Sequence, residues 1–452
     1  MRSFSIILLL LLSGMCSSVK GQANLQFRVV KDGLHIPWEI IYGPDDHIWF
    51  TQRNGYVMRL DPLGGDLDTL LAIPDAVANN EGGVLGMALH PAFPDSPYVY
   101  VAYEYNNIAL GYTEKIVRFT YNGTTLSAPF TLLDNIRGAA IHNGCRLLTG
   151  PGSTLFISTG DAGNPALPQD LSALNGKILR INLDGSIPAD NPIAGSPVWS
   201  WGHRNAQGLA WVDGKLFSSE HGSTTDDEIN VIMKGRNYGW PVVKGFCNEP
   251  AEQDFCNDSA VVEPLYAWTP TIAASGLAYY TGNMFPLWSG GLLLGTLKNE
   301  QLLLLRLNAG ATAIADIDTL IDGTYGRIRD ICAGPQGNIF ISTSNSSAGN
   351  SIDKIIELYD PSVTPTGVAE LEGKLPPFLV YPNPVMGAVM IQRPATENTL
   401  FTYTVWDMTG HSWITGKSID PLVRVDMSAL PSGWYVLKVV QGMEEYRFKL
   451  LR

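Results

Sequence analysis

The sequence predicts an all-β fold, a six-bladed β-propeller followed by a small immunoglobulin-like β-sandwich. Composition is the first ground, because only 16% of the 452 residues are charged, 46 are glycine and 10% are aromatic. Such a composition favours a globular protein rich in strands and turns. Length is the second ground, since a chain of this size can form a large core and an additional small domain. The third is an internal repeat, which occurs in six copies between Leu25 and about Tyr359.

Each copy of the repeat consists of an apolar strand, a turn rich in Gly, Pro and Asp, a second apolar strand and a basic, apolar strand. The copies follow one another at roughly 45 to 70 residues, a spacing typical of propeller blades. Six copies predict six blades, and we assign the propeller to residues 22–359. The loops at one end of the central channel should converge on a polar funnel, lined by residues just after the second strand of each copy.

Residues 1–21 predict a cleaved signal peptide. Arg2 provides a basic start, an apolar run covers Ile6–Leu12, and small residues near Gly21 precede the expected mature N-terminus at Gln22, as in secretory signals. The apolar run is too short to cross a bilayer. The sequence therefore predicts export and no transmembrane segment.

A second domain is predicted at the C-terminal end. Residues 360–377 read DPSVTPTGVAELEGKLPP, a polar segment with prolines near both ends that predicts a linker. Residues 378–452 contain short strands of alternating polarity separated by turn signals. This pattern is typical of a small β-sandwich.

Four cysteines follow the predicted signal peptide, and an even number in an exported chain is compatible with disulfides. Cys247 and Cys256 bracket a short polar loop, so their pairing is the first expectation. Cys145 with Cys332 is a second possible pair, and two buried free thiols are the alternative. The CxxC spacing of a zinc site is absent from the sequence.

The charge of the chain excludes one class of partner. The formal net charge is -13, whereas nucleic-acid binding requires a basic surface. The sequence also lacks a P-loop and a GxGxxG that links a strand to a helix, so it gives no indication of a nucleotide site.

The segment Gly202–Pro241 combines groups suited to a metal and an anion. It contains Arg204, the turn His221–Gly222 and the acidic run Asp226–Glu228. Ca²⁺ takes six to eight oxygen ligands, and arginine binds carboxylates with its planar fork. The segment thus predicts a calcium ion beside a polyanionic ligand, and a solvated acidic turn between two strands is the alternative.

Two long runs in this segment, GHRNAQGL and HGSTTDDEINVIMKGRNYGWP, resemble the soluble quinoprotein glucose and aldose sugar dehydrogenases. Members of that family are six-bladed propellers that use pyrroloquinoline quinone (PQQ) and Ca²⁺. The resemblance implies an oxidoreductase that converts the anomeric carbon of an aldose to a lactone, with a sugar as substrate and an unidentified electron acceptor.

The C-terminal segment resembles the sorting domain of the type IX secretion system. The resemblance rests on YPNP at its start, a D-x-x-G turn at Asp407–Gly410, the run LPSGWYVLKV and a basic end. It implies recognition by the secretion machinery, export across the outer membrane and a secreted or cell-surface location. An ordinary carbohydrate-binding or adhesion sandwich is the alternative.

The resemblance to the sugar dehydrogenases also implies roles for individual residues. His142, in IHNGCRL, matches the family's H-x-G-G-R-L motif and would take the proton from the sugar hydroxyl, a task suited to imidazole. Arg204 would assist by polarising the quinone. Without the resemblance, a histidine before a strand is more often a structural group. The residues that would bind PQQ are Arg204, Asn205, Lys298, Arg327, Arg329 and Glu81.

For metals, the resemblance assigns the backbone carbonyls of Gly222 and Ser223 to a first Ca²⁺ beside the cofactor. A second, structural Ca²⁺ would be bound by Asp227, Glu228 and the carbonyl of Tyr238. Trp268 would form part of the wall of the sugar site.

Several positions depart from the family pattern. Ile141 stands where glucose dehydrogenases have an acid, Glu81 replaces a glutamine, Cys145 replaces the second glycine of the histidine motif, and Ser223 replaces a proline. These differences put glucose preference in doubt.

Two other functions are possible for a propeller of this kind. One is a non-catalytic extracellular binding propeller, which would lack the pocket cations. The other is a calcium-dependent lactonase-type hydrolase, which would place carboxylates instead of a basic cluster on the channel axis.

Overall fold

The computed structural model describes residues 24–347, 350–363, 378–381, 385, 387–393, 399–407, 411–442 and 444–452. The predicted signal peptide and residues 364–377 of the predicted linker lie outside this part of the chain. Two compact units are present, Met1–Thr364 and Pro365–Arg452. Each unit is described separately below.

The first unit contains six four-stranded antiparallel sheets, which are the blades of a propeller. The first described strand is β1 (Gln26–Leu34). The strands of blades 1 to 3 are β2 (Pro37–Tyr42), β3 (Ile48–Gln52), β4 (Tyr56–Leu60), β5 (Leu67–Ala72), β6 (Val84–Leu89), β7 (Tyr98–Asn107), β8 (Gly111–Tyr121), β9 (Leu126–Arg137), β10 (Gly144–Gly150), β11 (Thr154–Thr159), β12 (Lys177–Asn182) and β13 (Val198–Trp201). The strands of blades 4 to 6 are β14 (Ala206–Val212), β15 (Lys215–Glu220), β16 (Asp227–Ile232), β17 (Tyr266–Trp268), β18 (Ala274–Tyr280), β19 (Gly291–Thr296), β20 (Gln301–Leu307), β21 (Ile314–Asp322), β22 (Ile328–Ala333), β23 (Ile339–Thr343) and β24 (Asp353–Tyr359).

The ring of blades closes through the first strand of the chain. β1 is the fourth strand of blade 6 and pairs with β24 in antiparallel register, from Gln26 opposite Tyr359 to Leu34 opposite Asp353. The innermost strands contact their neighbours in order around the ring, and β22 contacts β2. Closure therefore brings the starts of all six inner strands to one channel.

Each of the six sequence repeats corresponds to the three inner strands of a blade. The fourth, outer strands were not predicted. They are β1, β5, β9, β13, β17 and β21. The outer strand β9, for example, has few buried and many exposed residues. Only the inner strands are covered on both faces by neighbouring blades. Its apolar signal is correspondingly weak.

The segment between β16 and β17 contains a short helix, α1 (Pro250–Ser259), and the disulfide between Cys247 and Cys256 that was predicted. The second possible pair was wrong, because Cys145 and Cys332 are free thiols. Cys145 lies in blade 3, where its Sγ contacts the Glu114 carboxylate at 3.2 Å, and Cys332 lies in blade 6.

The second unit has two sheets over a common apolar core, as a β-sandwich requires. The predicted fold class is confirmed for both units. Residues 382–384 of YPNP and 408–410 of the D-x-x-G turn lie outside the described part of the chain. The strands of the second unit are β25 (Leu379–Tyr381), β26 (Ala388–Gln392), β27 (Phe401–Asp407), β28 (Ser412–Ser418), β29 (Leu422–Asp426), β30 (Trp434–Gln441) and β31 (Glu444–Leu451).

Within the described ranges of both units, helices long and apolar enough to cross a membrane are absent.

A buried carboxylate fastens the closing blade to the first one. Asp353, at the start of β24, is fully buried. Its Oδ2 accepts the Ile36 N–H at 2.9 Å and the Ser346 N–H at 3.1 Å, and its Oδ1 accepts the Thr343 hydroxyl at 2.9 Å. Ile36 directly precedes β2, so this side chain fixes the relative position of blades 6 and 1.

We expect Asp353→Ala to destabilise the propeller by about 3–5 kcal/mol, because several buried donors lose their acceptor at once. The measurement is the free energy of unfolding from urea titration of the full chain. Asp190→Ala is the control, since it removes only the exposed partner of Arg180 and should cost less than about 1 kcal/mol. Equal, small effects of both substitutions would contradict the closing role of Asp353.

Candidate functional site

A cavity of about 1050 Å³ lies at one end of the channel, where the loops of all six blades meet. This volume is close to the upper end of the range of roughly 300–1,000 Å³ that is usual for small-molecule sites. Residues after the second strands of blades 1, 4, 5 and 6 line it, as predicted, whereas the described lining contains none from after the second strands of blades 2 and 3. The loops before the first strands contribute as much. The first group includes Arg53, His221, Leu297 and Ser344, and the second includes Glu81, Asn143, Asn205 and Arg327.

The cavity is cationic. Arg53, Arg327 and Arg329 line it, and Glu81 is the one carboxylate among the described lining residues. Arg329 is only 7% exposed, and its guanidinium donates to Gln207 Oε1 at 2.9 Å. Burial, together with the positive charges of Arg327 and Arg53, lowers the pKa of Arg329 to about 9. An anion bound here would relieve this repulsion.

His142 is fixed on every side by hydrogen bonds. Its backbone adopts φ 60°, and its N–H donates to Glu81 Oε2 at 2.8 Å. Nδ1 lies 2.7 Å from Asp161 Oδ1, and Nε2 lies 3.1 Å from a terminal nitrogen of Arg204. Because a guanidinium can only donate, Nε2 is the acceptor and the ring proton is on Nδ1. Nε2 is thus the basic nitrogen of the site.

Asp161 is a functional residue that sequence reasoning missed. Its side chain is 2% exposed, and its Oδ2 accepts the indole N–H of Trp240 at 2.9 Å. Burial alone would raise the pKa of Asp161, but the hydrogen bonds and charge of its partners, His142 first, hold it below its usual range. Asp161 is the second residue after β11, the second strand of blade 3, so the expectation that residues just after second strands line the funnel could have selected it.

Arg204 and Asn205 lie where blade 4 begins. Arg204 donates to the His221 carbonyl at 3.2 Å, and its guanidinium lies 5.3 Å from the Trp240 ring centre. Burial lowers its pKa, and nearby carboxylates, Asp161 first, oppose the effect. Asn205 Oδ1 accepts the Gly144 N–H at 3.1 Å, which connects the start of blade 4 to the histidine loop. The structure therefore brings both predicted residues to the site.

A second, smaller cavity adjoins the first and is acidic. Glu228 is half-buried there, and desolvation together with the charge of Glu220 raises its pKa to about 8. His221 lies between the two cavities and lines both. Burial and the charges of Arg329 and Arg204 lower the pKa of His221 to about 3, so this imidazole is neutral at physiological pH. Four predicted metal ligands line the smaller cavity, namely Gly222, Ser223, Glu228 and Tyr238.

The side chain of Asp227 points away from the smaller cavity. It precedes Glu228 on β16, and consecutive side chains of a strand point to opposite faces. Its Oδ1 accepts the Gly222 N–H at 2.8 Å, and its Oδ2 accepts the N–H groups of Ile272 and Ala274 at 2.8 and 3.2 Å. Asp227 is therefore not among the residues that line the smaller cavity, and its carboxylate connects the start of blade 5 to blade 4.

Groups of three or more His, Cys, Asp and Glu side chains arranged to hold a metal are absent among the described residues. A cation in the smaller cavity would therefore depend on backbone carbonyls as much as on carboxylates. This is the ligand chemistry that Ca²⁺ accepts.

Two further predicted residues lie outside the cavity. Lys298 is exposed and donates to Thr271 Oγ1 at 3.0 Å, whereas the preceding Leu297 lines the cavity. Trp268 ends the outer strand β17 and packs its ring on Tyr266, with ring centres 4.6 Å apart. Contact of Trp268 with a sugar stays a prediction.

A buried carboxyl group lies under the histidine loop. Glu104, in β7, is fully buried. A Cβ on Gly82 would clash with its carboxylate, and one on Gly138 would lie 2.8 Å from its Oε1. Burial raises the pKa of Glu104 to about 8. Since these glycines flank the loops of Glu81 and His142, this carboxyl group supports the site from below.

The comparisons with known proteins agree with this geometry. Residues 34–373 match the glucose/sorbosone dehydrogenase family model, and residues 379–451 match the secretion system C-terminal sorting domain. The quinoprotein glucose dehydrogenase B of Acinetobacter calcoaceticus is 30% identical, over 76% of this chain and 89% of that protein. An aldose sugar dehydrogenase of Escherichia coli is 30% identical, over 76% of this chain and 96% of its own.

Among solved structures, the PQQ-bound aldose sugar dehydrogenase of Streptomyces coelicolor is 33% identical, with a TM-score of 0.64. The match covers 75% of this chain and 99% of that one.

We expect Glu104→Gln to stabilise the protein increasingly as the pH rises from 5 to 8. In the unfolded chain a glutamate loses its proton near pH 4.3, whereas folded Glu104 keeps it up to about pH 8. The unfolded state therefore binds fewer protons in this window, and wild-type stability falls with pH. Glutamine has no proton to lose, so the Glu104→Gln variant lacks this pH-dependent loss of stability.

Urea midpoints of both proteins at pH 5, 6.5 and 8 measure the effect. Glu300→Gln, in the turn between β19 and β20, is the matched control and should show a constant difference from wild type. A constant difference for Glu104→Gln as well would disprove that this carboxyl group stays protonated.

Proposed function

This chain belongs to the glucose/sorbosone dehydrogenase family, and from that premise we propose a secreted quinoprotein that oxidises an aldose at its anomeric carbon to the lactone. PQQ is the proposed hydride acceptor, with Ca²⁺ beside it. The observation that carries the proposal is a cationic cavity next to a histidine whose Nδ1 is held by Asp161, so that Nε2 is the accepting nitrogen.

The residues of the cavity fit PQQ, which carries three carboxylates on a planar ring system. Arginine binds carboxylates with charge-assisted hydrogen bonds, and burial and repulsion hold the pKa of Arg329 down until an anion is present. Arg327, Arg329, Asn205 and Glu81 would hold the cofactor, and Lys298 would join them if its ammonium turned from Thr271 towards the cavity. When bound, PQQ supplies the hydride acceptor.

The chain itself supplies the proton chemistry. His142 Nε2 would accept the proton of the C1 hydroxyl, because Asp161 keeps the other ring nitrogen protonated. Arg204 now donates to that nitrogen at 3.1 Å, and a sugar hydroxyl would take this donor position. The guanidinium would then lie beside the oxygen as it loses its proton, where a positive charge stabilises the developing negative charge.

The smaller cavity would hold Ca²⁺. Its oxygen ligands would be the backbone carbonyls of Gly222, Ser223 and Tyr238 and the carboxylate of Glu228. Glu220 lines the same cavity. Glu220 also accepts the backbone N–H of Arg204, so a cation here would help to fix the backbone from which that guanidinium extends. This arrangement supports calcium as a structural partner of the catalytic residues.

The C-terminal sorting domain supports export by the type IX secretion machinery to the medium or the cell surface. The basic lining of the cavity favours a dehydrogenase over a lactonase-type hydrolase, for which carboxylates would converge on the axis. It also disfavours a pure binding propeller, because such a protein has no need of a positioned base beside an anion site.

We expect His142→Ala to bind PQQ as wild type does and to lose about 10²- to 10⁴-fold in turnover, because the variant lacks the general base. Absorbance of the reconstituted protein, before and after addition of a panel of aldoses, measures binding and reduction separately. His47→Ala, in the turn between β2 and β3, is the control and should retain turnover. A wild-type protein that fails to bind PQQ would overturn the proposed function.

Ca²⁺ should raise the melting temperature of the full chain, and Glu228→Gln should remove most of that rise, because it removes a charged oxygen ligand. Asp227→Asn should lower the melting temperature equally with Ca²⁺ and with a chelator, because its carboxylate binds backbone N–H groups. Thermal unfolding under both conditions tests this. If Asp227→Asn alone removes the calcium effect, our assignment of the ligands is wrong.

A further inference from the structure

We propose that Arg53 is a further cofactor-binding residue, which holds a carboxylate of the bound PQQ from blade 1. The proposal rests on the quinoprotein function above. Arg53 follows β3, the second strand of its blade, and lines the large cavity together with Arg327 and Arg329. Sequence reasoning did not select it, because the run FTQRNG carries no motif that distinguishes this arginine from a surface residue.

The backbone of Arg53 is fixed at both of its polar groups. Its N–H donates to the Ile36 carbonyl at 3.2 Å, at the start of blade 1, and its carbonyl accepts the Val84 N–H at 3.1 Å, at the start of blade 2. Gly83 makes room for the side chain, because a Cβ there would clash with the Arg53 carbonyl oxygen and lie 2.8 Å from its Cγ. Arg53 is therefore positioned before any ligand arrives.

The guanidinium lacks the partners that an arginine of structural role has. In the described part of the chain, Nε of Arg53 is buried without a hydrogen-bond partner, and no ion pair joins its side chain to a carboxylate. Arg59, on the next strand of the same blade, shows the contrast, since it is paired with Asp68 at 2.8 Å and Asp45 at 3.4 Å. A buried donor without a hydrogen-bond partner lowers the stability of the folded protein, and a bound ligand that supplies an acceptor restores that stability.

Charge supports the same conclusion. Burial lowers the pKa of Arg53, the charge of Arg327 lowers it further, and Glu81 opposes both. Three arginines facing one carboxylate leave the cavity with an excess of positive charge. A ligand with several carboxylates distributed around a rigid plane can engage guanidinium groups from blades 1 and 6 together, and it would neutralise this excess.

The experiment measures PQQ binding to the full chain in the presence of Ca²⁺, by quenching of tryptophan fluorescence. We expect Arg53→Gln to weaken PQQ affinity about 10- to 100-fold, as removal of a charge-assisted hydrogen bond does. Arg53→Lys should weaken it less, because the charge remains and the planar fork is lost. The matched control Arg59→Gln should bind PQQ as wild type does.

The melting temperature of the protein without PQQ distinguishes binding from a structural role. Arg53→Gln should leave it unchanged or raise it, since repulsion with Arg327 is removed, while the PQQ-dependent rise becomes smaller. If the melting temperature falls and affinity stays within about twofold of wild type, Arg53 is structural and this inference is overturned. If wild type itself does not bind PQQ, the proposed function fails and this inference with it.

Discussion

The site depends on the closure of the blade ring by β1. β1 belongs to blade 6 and leads directly into β2 of blade 1, so its pairing with β24 closes the ring. The carboxylate of Asp353 then fixes Ile36, and Ile36 leads into β2. Because the proposed base, the arginines and the acidic cavity come from blades 1, 3, 4 and 6, a small rotation at this junction would separate groups that must lie within a few ångströms of each other.

A buried ionic network holds the inner strands together beneath the cavity. The Arg146 guanidinium lies 2.6 Å from Glu39 Oε1 and 3.0 Å from Asp330 Oδ1, so blades 1, 3 and 6 meet at one side chain. Burial raises the pKa of both carboxyl groups and the Arg146 charge opposes it. Such networks add little net stability but specify one arrangement. Since Arg329 precedes Asp330 on β22, strand alternation directs one residue to the cavity and the other to the network.

The sequence was sufficient for the fold and for part of the site. Six apolar repeats predicted six blades because buried strands carry a strong apolar signal, whereas an outer strand such as β17 has three residues and no such signal. Motifs shared with the family selected His142 and Arg204, and the structure places their side chains 3.1 Å apart. Asp161 was not selected because no motif marks it, and its contact with the His142 ring appears only in the fold. Asp227 was assigned together with Glu228 through the resemblance; in the structure its carboxylate accepts backbone N–H groups on the opposite face of β16.

Glu81 links the two halves of the site. Its carboxylate accepts the N–H of His142 at 2.8 Å, and it is the one carboxylate among the described residues that line the cavity. Its charge favours the protonated forms of Arg53, Arg204 and Arg329 alike. The proposed anionic cofactor would bring further negative charge to these arginines and would repel the Glu81 carboxylate. A displacement of that carboxylate would act on the His142 backbone, whose φ of 60° already requires support from its neighbours. The proposed cofactor site and the proposed base would therefore be coupled through one side chain, and a neutral residue at position 81 would weaken that coupling.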